Sequence, residues 1–253
     1  MLDTNYKLQN KAHLQADNLR ILLWDIDGTL MRSTRPGSFK EYFKPVMQRI
    51  FGTSGSLKEL KVSGMTDTQI IYESLKDEGF TPEQIIGARN ELLPVFKEEM
   101  TKKLGETLTP YEMFPGVCEI LDRTAADPNF INCLLTGNFS VAAKVKLSHL
   151  DLWKYFENSP NFFGEISHDR RELGRDAVKN VSSFLGKAVD AKQFIVIGDT
   201  PNDIAAARAF SAKIVSVATG RNHPKAELLK LNPDCLLENL GNTDEVLEVL
   251  KSL

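Results

Sequence analysis

The chain has 253 residues, of which 42% are hydrophobic, and a formal net charge of −3 at pH 7. This size allows one large or two modest globular domains with a sizeable core. The charge balance provides no basic field of the kind that nucleic-acid binding requires, so we expect no nucleic-acid partner. No run approaches the ~18 consecutive apolar residues of a membrane helix, so we expect no membrane partner. Nothing in the sequence indicates an oligomeric state.

Three cysteines are spaced far apart in apolar surroundings: Cys118, Cys133 and Cys235. An odd number of separated cysteines is typical of buried free thiols in a reducing compartment. The sequence therefore predicts a cytoplasmic location.

The chain starts with a polar segment, residues 1–18, that lacks the apolar core of a secretory signal and is predicted to be a tail. The apolar run at 19–24 has the length of a strand buried on both faces. From 37 to 115 the periodicity is helical and little resembles a strand. Proline and glycine occur together at both ends of this span, so we predict a separate helical insert, residues 36–114.

Two helices of the insert can be placed from local signals. Apolar residues at helical spacing follow Ser38, a candidate cap, and Pro45 is expected to kink or shorten that helix. These residues are Phe39, Tyr42, Phe43, Val46 and Ile50. The segment 81–84 (Thr-Pro-Glu-Gln) has a capping box and a first-turn proline, which predict a helix start. Pro94 is expected to disturb the far half of this second helix.

After the insert, short apolar runs alternate with helix-length segments. The runs are 131–135, 194–197, 214–217 and 235–237, and the helical segments are 140–152, 171–185, 203–210 and 243–250. Such alternation indicates βαβ units. We therefore predict an α/β fold with a Rossmann-like parallel sheet, built from residues 19–35 and 115–253 and interrupted by the insert.

Two carboxylates end the first apolar run. Asp25 and Asp27 follow Trp24, and Gly28 follows them. In an extended chain, residues two apart point to the same side and their Cα atoms lie about 6 to 7 Å apart. One carboxylate can then attack a group while the other handles its proton. Because two such charges at close range require a cation, the pair predicts a metal and a substrate.

Polar residues also end the next two runs of the sheet. The segment 136–138 (Thr-Gly-Asn) follows the second run, and 198–203, which contains Asp199 and Asp203, follows the third. Taken alone, 198–203 could equally be a solvated turn with a helix cap. Ligands of open parallel sheets bind at the carboxyl ends of the strands, so we expect the three strand ends to meet. Four carboxylates beside an anionic substrate require a hard divalent cation, and oxygen ligands favour Mg²⁺.

At these residues the sequence resembles the haloacid dehalogenase (HAD) superfamily. The signature of that superfamily is Asp-x-Asp-Gly-Thr, a strand ending in Ser or Thr, a Lys or Arg, and Gly-Asp-x-x-x-Asp. Here 25–29, Thr136 and 198–203 match in order, and the insert matches the helical cap of the phosphoglycolate-phosphatase-like branch. The resemblance spans about residues 19–217. It implies a Mg²⁺-dependent hydrolase whose cap is residues 36–114.

The resemblance also implies a role for each matching residue. Asp25 would be the nucleophile that forms an aspartyl-phosphate, and it would also bind the metal. Asp27 would be the general acid and base, with its backbone carbonyl on the metal. Asp199 and Asp203 would hold Mg²⁺ directly or through water. The phosphoryl oxygens would be bound by Thr136, Gly137 and Asn138.

The third motif departs from the commonest pattern of the family, because the expected lysine is missing. The segment 169–173 (Asp-Arg-Arg-Glu-Leu) stands in its place. Some family members are similar in having Asp-Arg-x-Glu-Leu, which implies that Arg170 replaces the lysine and pairs with Asp25 and a substrate phosphate. Arg171 and Arg175 remain open as alternatives for this role.

Other chemistries fit the residues less well. A calcium loop needs further ligands at offsets where this chain has none. A dehalogenase of the superfamily does not need Asp27, and a phosphonate hydrolase replaces it. A sugar-phosphate mutase carries basic residues in a cap loop, whereas the corresponding loop here, 63–67 (Ser-Gly-Met-Thr-Asp), contains no cation. A receiver-like module needs an exposed phosphate acceptor, which a large cap opposes.

We therefore predict a phosphatase that hydrolyses a small phosphomonoester, with a small phosphorylated metabolite as its partner. The alternatives are a sugar-phosphate mutase that shuttles the phosphoryl group and a non-catalytic, phosphate-responsive binding module. Residues of the insert and its flanks that reach the pocket would set specificity. The candidates are Arg32, Lys61, Met65 and Thr66.

Overall fold

A computed structural model describes residues 18–106 and 110–253. Its strands are β1 (Arg20–Trp24), β2 (Met31–Ser33), β3 (Tyr111–Met113), β4 (Phe130–Leu134), β5 (Phe194–Gly198), β6 (Lys213–Val217) and β7 (Cys235–Leu237). Five of them form one parallel sheet in the order β4-β1-β5-β6-β7, and each lies within one residue of its predicted position. The predicted α/β fold is confirmed.

The helices of the described chain follow the predicted alternation. They are α1 (Lys40–Phe51), α2 (Asp67–Leu75), α3 (Pro82–Gly87), α4 (Arg89–Gly105), α5 (Val117–Ala126), α6 (Ser140–His149), α7 (Ala177–Leu185), α8 (Pro201–Ala209), α9 (Lys225–Lys230) and α10 (Thr243–Ser252). The predicted helix at 171–185 is shorter than expected, because a 3₁₀ turn at Arg170–Glu172 precedes α7.

Successive residues of β1 pack on opposite faces of the sheet, as expected for a strand covered on both sides. Leu22 and Trp24 share one buried cluster with residues of α5, α6 and α10. Ile21 and Leu23 belong to a second cluster with residues of α7 and α8. The sheet is therefore the middle of three layers, and its carboxyl edge stays free to carry polar groups.

The helices α1 to α4 lie between β2 and β3, inside the predicted insert. The two short strands pair antiparallel at its base, a feature that the sequence analysis missed. Aromatic rings of α1 and α4 pack edge-on against each other, and Phe96 continues this contact to Phe139 beside α6. The insert therefore packs on the sheet layer through its own aromatic core. Its boundaries at 36 and 114 stay a prediction.

Local signals in the insert were only partly correct. The capping box of Thr81 and Gln84 is confirmed. The prediction that Ser38 caps α1 is wrong, because Phe39 occupies the N-cap position and makes no side-chain hydrogen bond there. The Ser38 hydroxyl instead lies 3.2 Å from the hydroxyl of Ser33.

The expected shortening of the insert's helices at their prolines was also wrong, whereas a kink at Pro45 stays a prediction. Pro45 lies inside the 12 residues of α1, and Pro94 lies inside the 17 residues of α4. Each proline removes one helical hydrogen bond, and the apolar face that each helix buries offsets that loss. The chain instead breaks between α3 and α4, at Ala88.

Three further expectations concern the tail, the cysteines and the membrane. The predicted tail, residues 1–18, lies outside the described residues except for its last one. None of the three cysteines forms a disulfide, but Cys118 is exposed, so its predicted burial is wrong. Among the described residues no helix has the length and apolar character to cross a membrane.

Two glycines with nearly the same backbone conformation allow a test of packing at the base of the insert. Gly52 and Gly116 have φ of +79° and +80°. A Cβ on Gly52 would meet nothing within 4 Å, whereas one on Gly116 would lie 1.9 Å from the carbonyl oxygen of Leu240. We expect Gly52→Ala to lower the free energy of unfolding by about 1 kcal/mol, the cost of the left-handed conformation.

For Gly116→Ala we expect a loss of about 3 kcal/mol, because backbone must move to admit the methyl group. Urea unfolding of the two variants measures the difference. Equal losses would show that the Leu240 backbone does not restrict this position.

Candidate active site

The carboxyl ends of three strands lie side by side, because β1 pairs with both β4 and β5. Asp25 directly follows β1, Thr136 follows β4 after one residue, and Asp199 directly follows β5. Asp203 lies in the first turn of α8, where it forms a capping box with Thr200. Topology therefore brings these side chains to one edge of the sheet, and the segment 198–203 is both a helix cap and a part of this group.

Three buried carboxylates form a compact cluster. Asp25, Asp199 and Asp203 each place an oxygen within 4.8 Å of the others. Burial raises the pKa of the Asp25 carboxyl to about 6, against the lowering effect of Arg170, and the charge of Asp203 adds to the rise. The pKa of Asp199 is raised for the same reasons, burial first and the negative charge of Asp203 second. The cluster thus carries more negative charge than its buried position tolerates.

Arg170 is the cation inside this cluster. One of its terminal nitrogens, Nη2, lies 2.8 Å from Asp25 Oδ1 and 2.5 Å from Asp203 Oδ1. The other, Nη1, donates to the backbone carbonyl of Gly64 at 3.3 Å. Despite burial, these carboxylates raise the pKa of the guanidinium further above its usual value, so it stays charged. The arginine binds the two aspartates to each other.

The neighbouring arginines lie elsewhere. Arg171 is exposed and pairs with Asp169 at 2.6 Å, and Arg175 is exposed and pairs with Glu172 at 2.8 Å. Of the three arginines left open for the third motif, the geometry brings only Arg170 to the aspartates.

The second motif forms a small hydrogen-bonded loop. The Thr136 hydroxyl is buried and accepts two hydrogen bonds from Asn138, one from its backbone N–H at 3.3 Å and one from Nδ2 at 2.9 Å. Its own proton has no acceptor among the described residues, and Thr136 itself is not one of the residues that line the cavity. Gly137 and Asn138 line the cavity described below.

Asp27 is half-exposed at the edge of this loop. Its Oδ2 accepts from Asn138 Nδ2 at 2.8 Å and from the ammonium of Lys146 at 2.6 Å. Lys146 lies on α6, is buried, and also donates to Asn138 Oδ1 at 2.6 Å. Burial alone would lower the pKa of this ammonium, but the negative charge of Asp27 raises it above its usual value, so the lysine stays charged.

Sequence reasoning missed Lys146, although one signal pointed to it. Position 146 follows Ala143 by three residues and Ala142 by four, so it lies on the buried face of α6 with them. A lysine on the apolar face of a helix needs a buried anion. That helix begins two residues after Asn138, close to the strand ends that carry the aspartates.

The insert contributes a second missed residue, Asp67, at the start of α2. Its carboxylate accepts from the backbone N–H of Phe139 at 2.7 Å, and its own N–H donates to the carbonyl of Gly137 at 2.7 Å. Burial raises the pKa of the Asp67 carboxyl to about 7, although Lys146 opposes the rise. The loop at 63–67 is therefore joined to the second motif by two hydrogen bonds.

A cavity of about 440 Å³ lies between the strand ends and the insert. Its walls combine the acidic groups with aromatic rings from the insert and two arginines at the mouth. These residues include Asp25, Asp27, Asp199, Lys146, Tyr42, Tyr111, Phe43, Arg32 and Arg221. Of the four specificity candidates, Arg32 and Met65 line the cavity. Lys61 and Thr66 are not among its described lining residues.

A family model for haloacid dehalogenase-like hydrolases matches residues 19–211. The chain belongs to this family. The resemblance inferred from the motifs is thus confirmed, and the matched range contains every predicted site residue. A search of curated proteins gives no match.

Solved structures agree with the HAD fold. A HAD hydrolase of family IA, variant 3, from Entamoeba histolytica has a TM-score of 0.62 and 19% identity, over 92% of this chain and 100% of the other. A proposed β-phosphoglucomutase from Bacteroides vulgatus has a TM-score of 0.60 and 19% identity, over 98% of this chain and 96% of the other. A predicted phosphoglycolate phosphatase from Haemophilus somnus has a TM-score of 0.57 and 17% identity, over 91% of this chain and 98% of the other. At these identities the likeness concerns the fold alone.

The buried Asp67 leads to a prediction about stability and pH. Because its pKa is about 7 in the folded protein and about 3.8 when exposed, the folded state holds a proton between these values that the unfolded state has lost. This group therefore lowers stability as pH rises through that range. In Asp67→Asn the titration is absent, so the variant should gain about 2 kcal/mol relative to the original protein between pH 5 and pH 8.

Urea unfolding at both pH values measures this gain, and Asp77→Asn, an exposed aspartate of the insert, is the control without an expected change. A constant difference between Asp67→Asn and the original protein at the two pH values would contradict the assignment.

Proposed function

We propose that this HAD protein is a Mg²⁺-dependent phosphatase that hydrolyses a small phosphomonoester through an aspartyl-phosphate on Asp25. One observation carries the proposal. Asp25 lies at the cavity wall within the carboxylate cluster and in contact with Arg170, while a second carboxylate, Asp27, stands two residues away at the same wall. A nucleophile, a cation for the phosphoryl group and a proton carrier are thus within one cavity, and its volume suits a small metabolite.

The cluster fits a magnesium ion. Its donors are all carboxylate oxygens, which are the ligands that Mg²⁺ prefers. A divalent cation would also neutralise the repulsion between these buried negative charges. The ligands would be the side chains of Asp25, Asp199 and Asp203 with the backbone carbonyl of Asp27. The ion would neutralise charge that develops on the transferring phosphoryl group.

The residues of the chain can divide the reaction into two displacements. A carboxylate oxygen of Asp25 attacks phosphorus and the bond from phosphorus to the leaving oxygen breaks, while Asp27 gives that oxygen a proton. Water then attacks the phosphorus of the aspartyl-phosphate, Asp27 takes its proton, and phosphate leaves Asp25 free. Arg170 and the hydroxyl of Thr136 would bind phosphoryl oxygens throughout.

Hydrolysis is favoured over phosphoryl shuttling by the residue at the end of the insert loop. A mutase needs a cation there for the second phosphate, whereas here the loop brings the carboxylate of Asp67 to the cavity. In neither protonation state does Asp67 provide the positive charge that would bind a second phosphate. In an assay of phosphate release, a mutase would instead convert a sugar phosphate into its isomer and release no free phosphate.

The test of this proposal is phosphate release from a panel of phosphorylated metabolites and an aryl phosphate. We expect turnover that is lost in chelator and restored by Mg²⁺. We expect Asp25→Asn to lower the rate by about a thousandfold or more, since the asparagine amide cannot replace the attacking carboxylate. Asp244→Asn, at an exposed aspartate, is the control and should be unchanged. Phosphate binding without turnover of any substrate would favour a binding module.

The assignment of the third motif gives a separate prediction. Arg170→Ala removes the cation beside the nucleophile and should lower kcat/KM by about 100-fold or more. Arg171→Ala and Arg175→Ala should change it by less than about threefold, because both arginines are exposed and pair with carboxylates outside the cavity. Steady-state kinetics of the three variants measures these changes. A larger loss of kcat/KM in Arg171→Ala or Arg175→Ala than in Arg170→Ala would assign the third-motif role to that neighbour.

A further inference from the structure

Lys146 occupies a position that the proposed reaction does not yet explain. Its ammonium is buried within the cavity wall and is bonded to both Asp27 and Asn138. A buried lysine is costly unless an anion and hydrogen-bond acceptors surround it. Here Asp27, which belongs to the proposed machinery, is that anion. Burial of the Lys146 ammonium is therefore compensated by Asp27, the carboxylate that transfers the proton in the proposed reaction.

Both contacts of Asp27 fall on one oxygen. Asn138 Nδ2 and Lys146 Nζ both donate to Oδ2, at 2.8 and 2.6 Å, and among the described residues no hydrogen bond or ion pair reaches Oδ1. A carboxylate otherwise rotates broadly about its terminal torsion. Two donors on Oδ2 fix the plane of the group and leave Oδ1 without a donor from the described residues.

Lys146 also determines how the Asn138 amide is oriented. A lysine ammonium has only donors, so the amide must turn its oxygen toward Nζ. The amide nitrogen then faces the other way, where it donates to Asp27 Oδ2 and to the hydroxyl of Thr136. With the amide reversed, its nitrogen would face the ammonium, and both Asp27 and Thr136 would lose a donor.

We propose that Lys146 is a positioning residue: it fixes Asp27 through Oδ2 and orients Asn138, so that Asp27 Oδ1 and the Thr136 hydroxyl face the substrate. This inference rests on the proposed phosphatase function and adds to it a residue outside the four motifs. Lys146 itself need not touch the substrate. Its effect should therefore appear in the chemical steps and not in substrate binding.

The test compares Lys146→Met with the original protein, using the best phosphomonoester of the panel and saturating Mg²⁺. Methionine keeps the unbranched stem of the side chain, one atom shorter, without a hydrogen-bond donor. We expect kcat to fall about 100-fold, the scale of a displaced acid–base group, and KM to change by less than about threefold. Lys146→Arg, which keeps charge and donors, should recover kcat to within about 10-fold of the original value.

Lys144→Met is the matched control. It removes a lysine from the same helix two residues away, where the ammonium is exposed and lies over the ring of Trp153. We expect kcat and KM to stay unchanged in this variant. A fall equal to that of Lys146→Met would show a general effect on α6 and would overturn the proposal.

A double-mutant cycle distinguishes positioning from direct contact. If Lys146 acts mainly through Asp27, adding Lys146→Met to Asp27→Asn should lower the residual rate by less than about 10-fold, the part that remains through Asn138 and Thr136. A larger additional loss, or a KM that rises with little change in kcat, would mean that the lysine binds substrate itself and would overturn the proposal.

Folding is checked for every variant by circular dichroism and thermal unfolding, and kcat is expressed per folded protein. If Lys146→Met does not fold, Lys146→Leu, which also lacks a donor, takes its place with the same expectations. Failure of both neutral variants beside a folded Lys146→Arg would assign the lysine to stability and overturn the proposal. An original protein without any turnover refutes the phosphatase, and this inference with it. An active protein whose folded Lys146→Met variant is equally active refutes only the role of Lys146.

Discussion

The central constraint on this structure is the concentration of negative charge at the carboxyl edge of the parallel sheet. Asp25, Asp199 and Asp203 are buried with oxygens within 4.8 Å of one another. Without a cation, the carboxylates of such a cluster would repel one another or take up protons. Arg170 neutralises part of this charge, because its Nη2 nitrogen bridges two of the carboxylates. Because one arginine balances only part of this charge, the same edge is suited to a divalent cation and to the phosphate it would accompany.

Two cations reach the site from different parts of the chain, and they serve different carboxylates. Arg170 comes from a 3₁₀ turn before α7 and contacts the carboxylate of Asp25. Lys146 comes from α6 and contacts that of Asp27. The two aspartates are only two residues apart, yet one is buried and the other half-exposed. Their separate cationic partners let a buried carboxylate and a half-exposed carboxylate coexist at one strand end.

Much of the fold and the motif residues could be predicted because the signals are local. Continuous apolar runs place the strands, and polar residues directly after Trp24 and Gly198 have to lie at the sheet edge. Lys146 and Asp67 were missed because their partners are distant in sequence: Asp27 lies 119 residues from the lysine, and Phe139 lies 72 residues from Asp67. Helix length across Pro45 was likewise decided by tertiary packing, which local propensity does not report.

The loop of the insert is bound to the sheet layer by contacts on both sides of the site. Asp67 is bonded to backbone of the second motif, the carbonyl of Gly64 accepts from Arg170 and from Asn202, and Thr68 donates to the carbonyl of Gly164 at 2.6 Å. The groups that would hold the phosphoryl moiety therefore share hydrogen bonds with the loop that would face the leaving group. Any change in this loop should disturb the reacting groups as well as the choice of substrate. In the proposed reaction, specificity and catalysis would then be coupled through hydrogen bonds between side chains and backbone, which substitution of Asp67, Arg170 or Thr68 would remove.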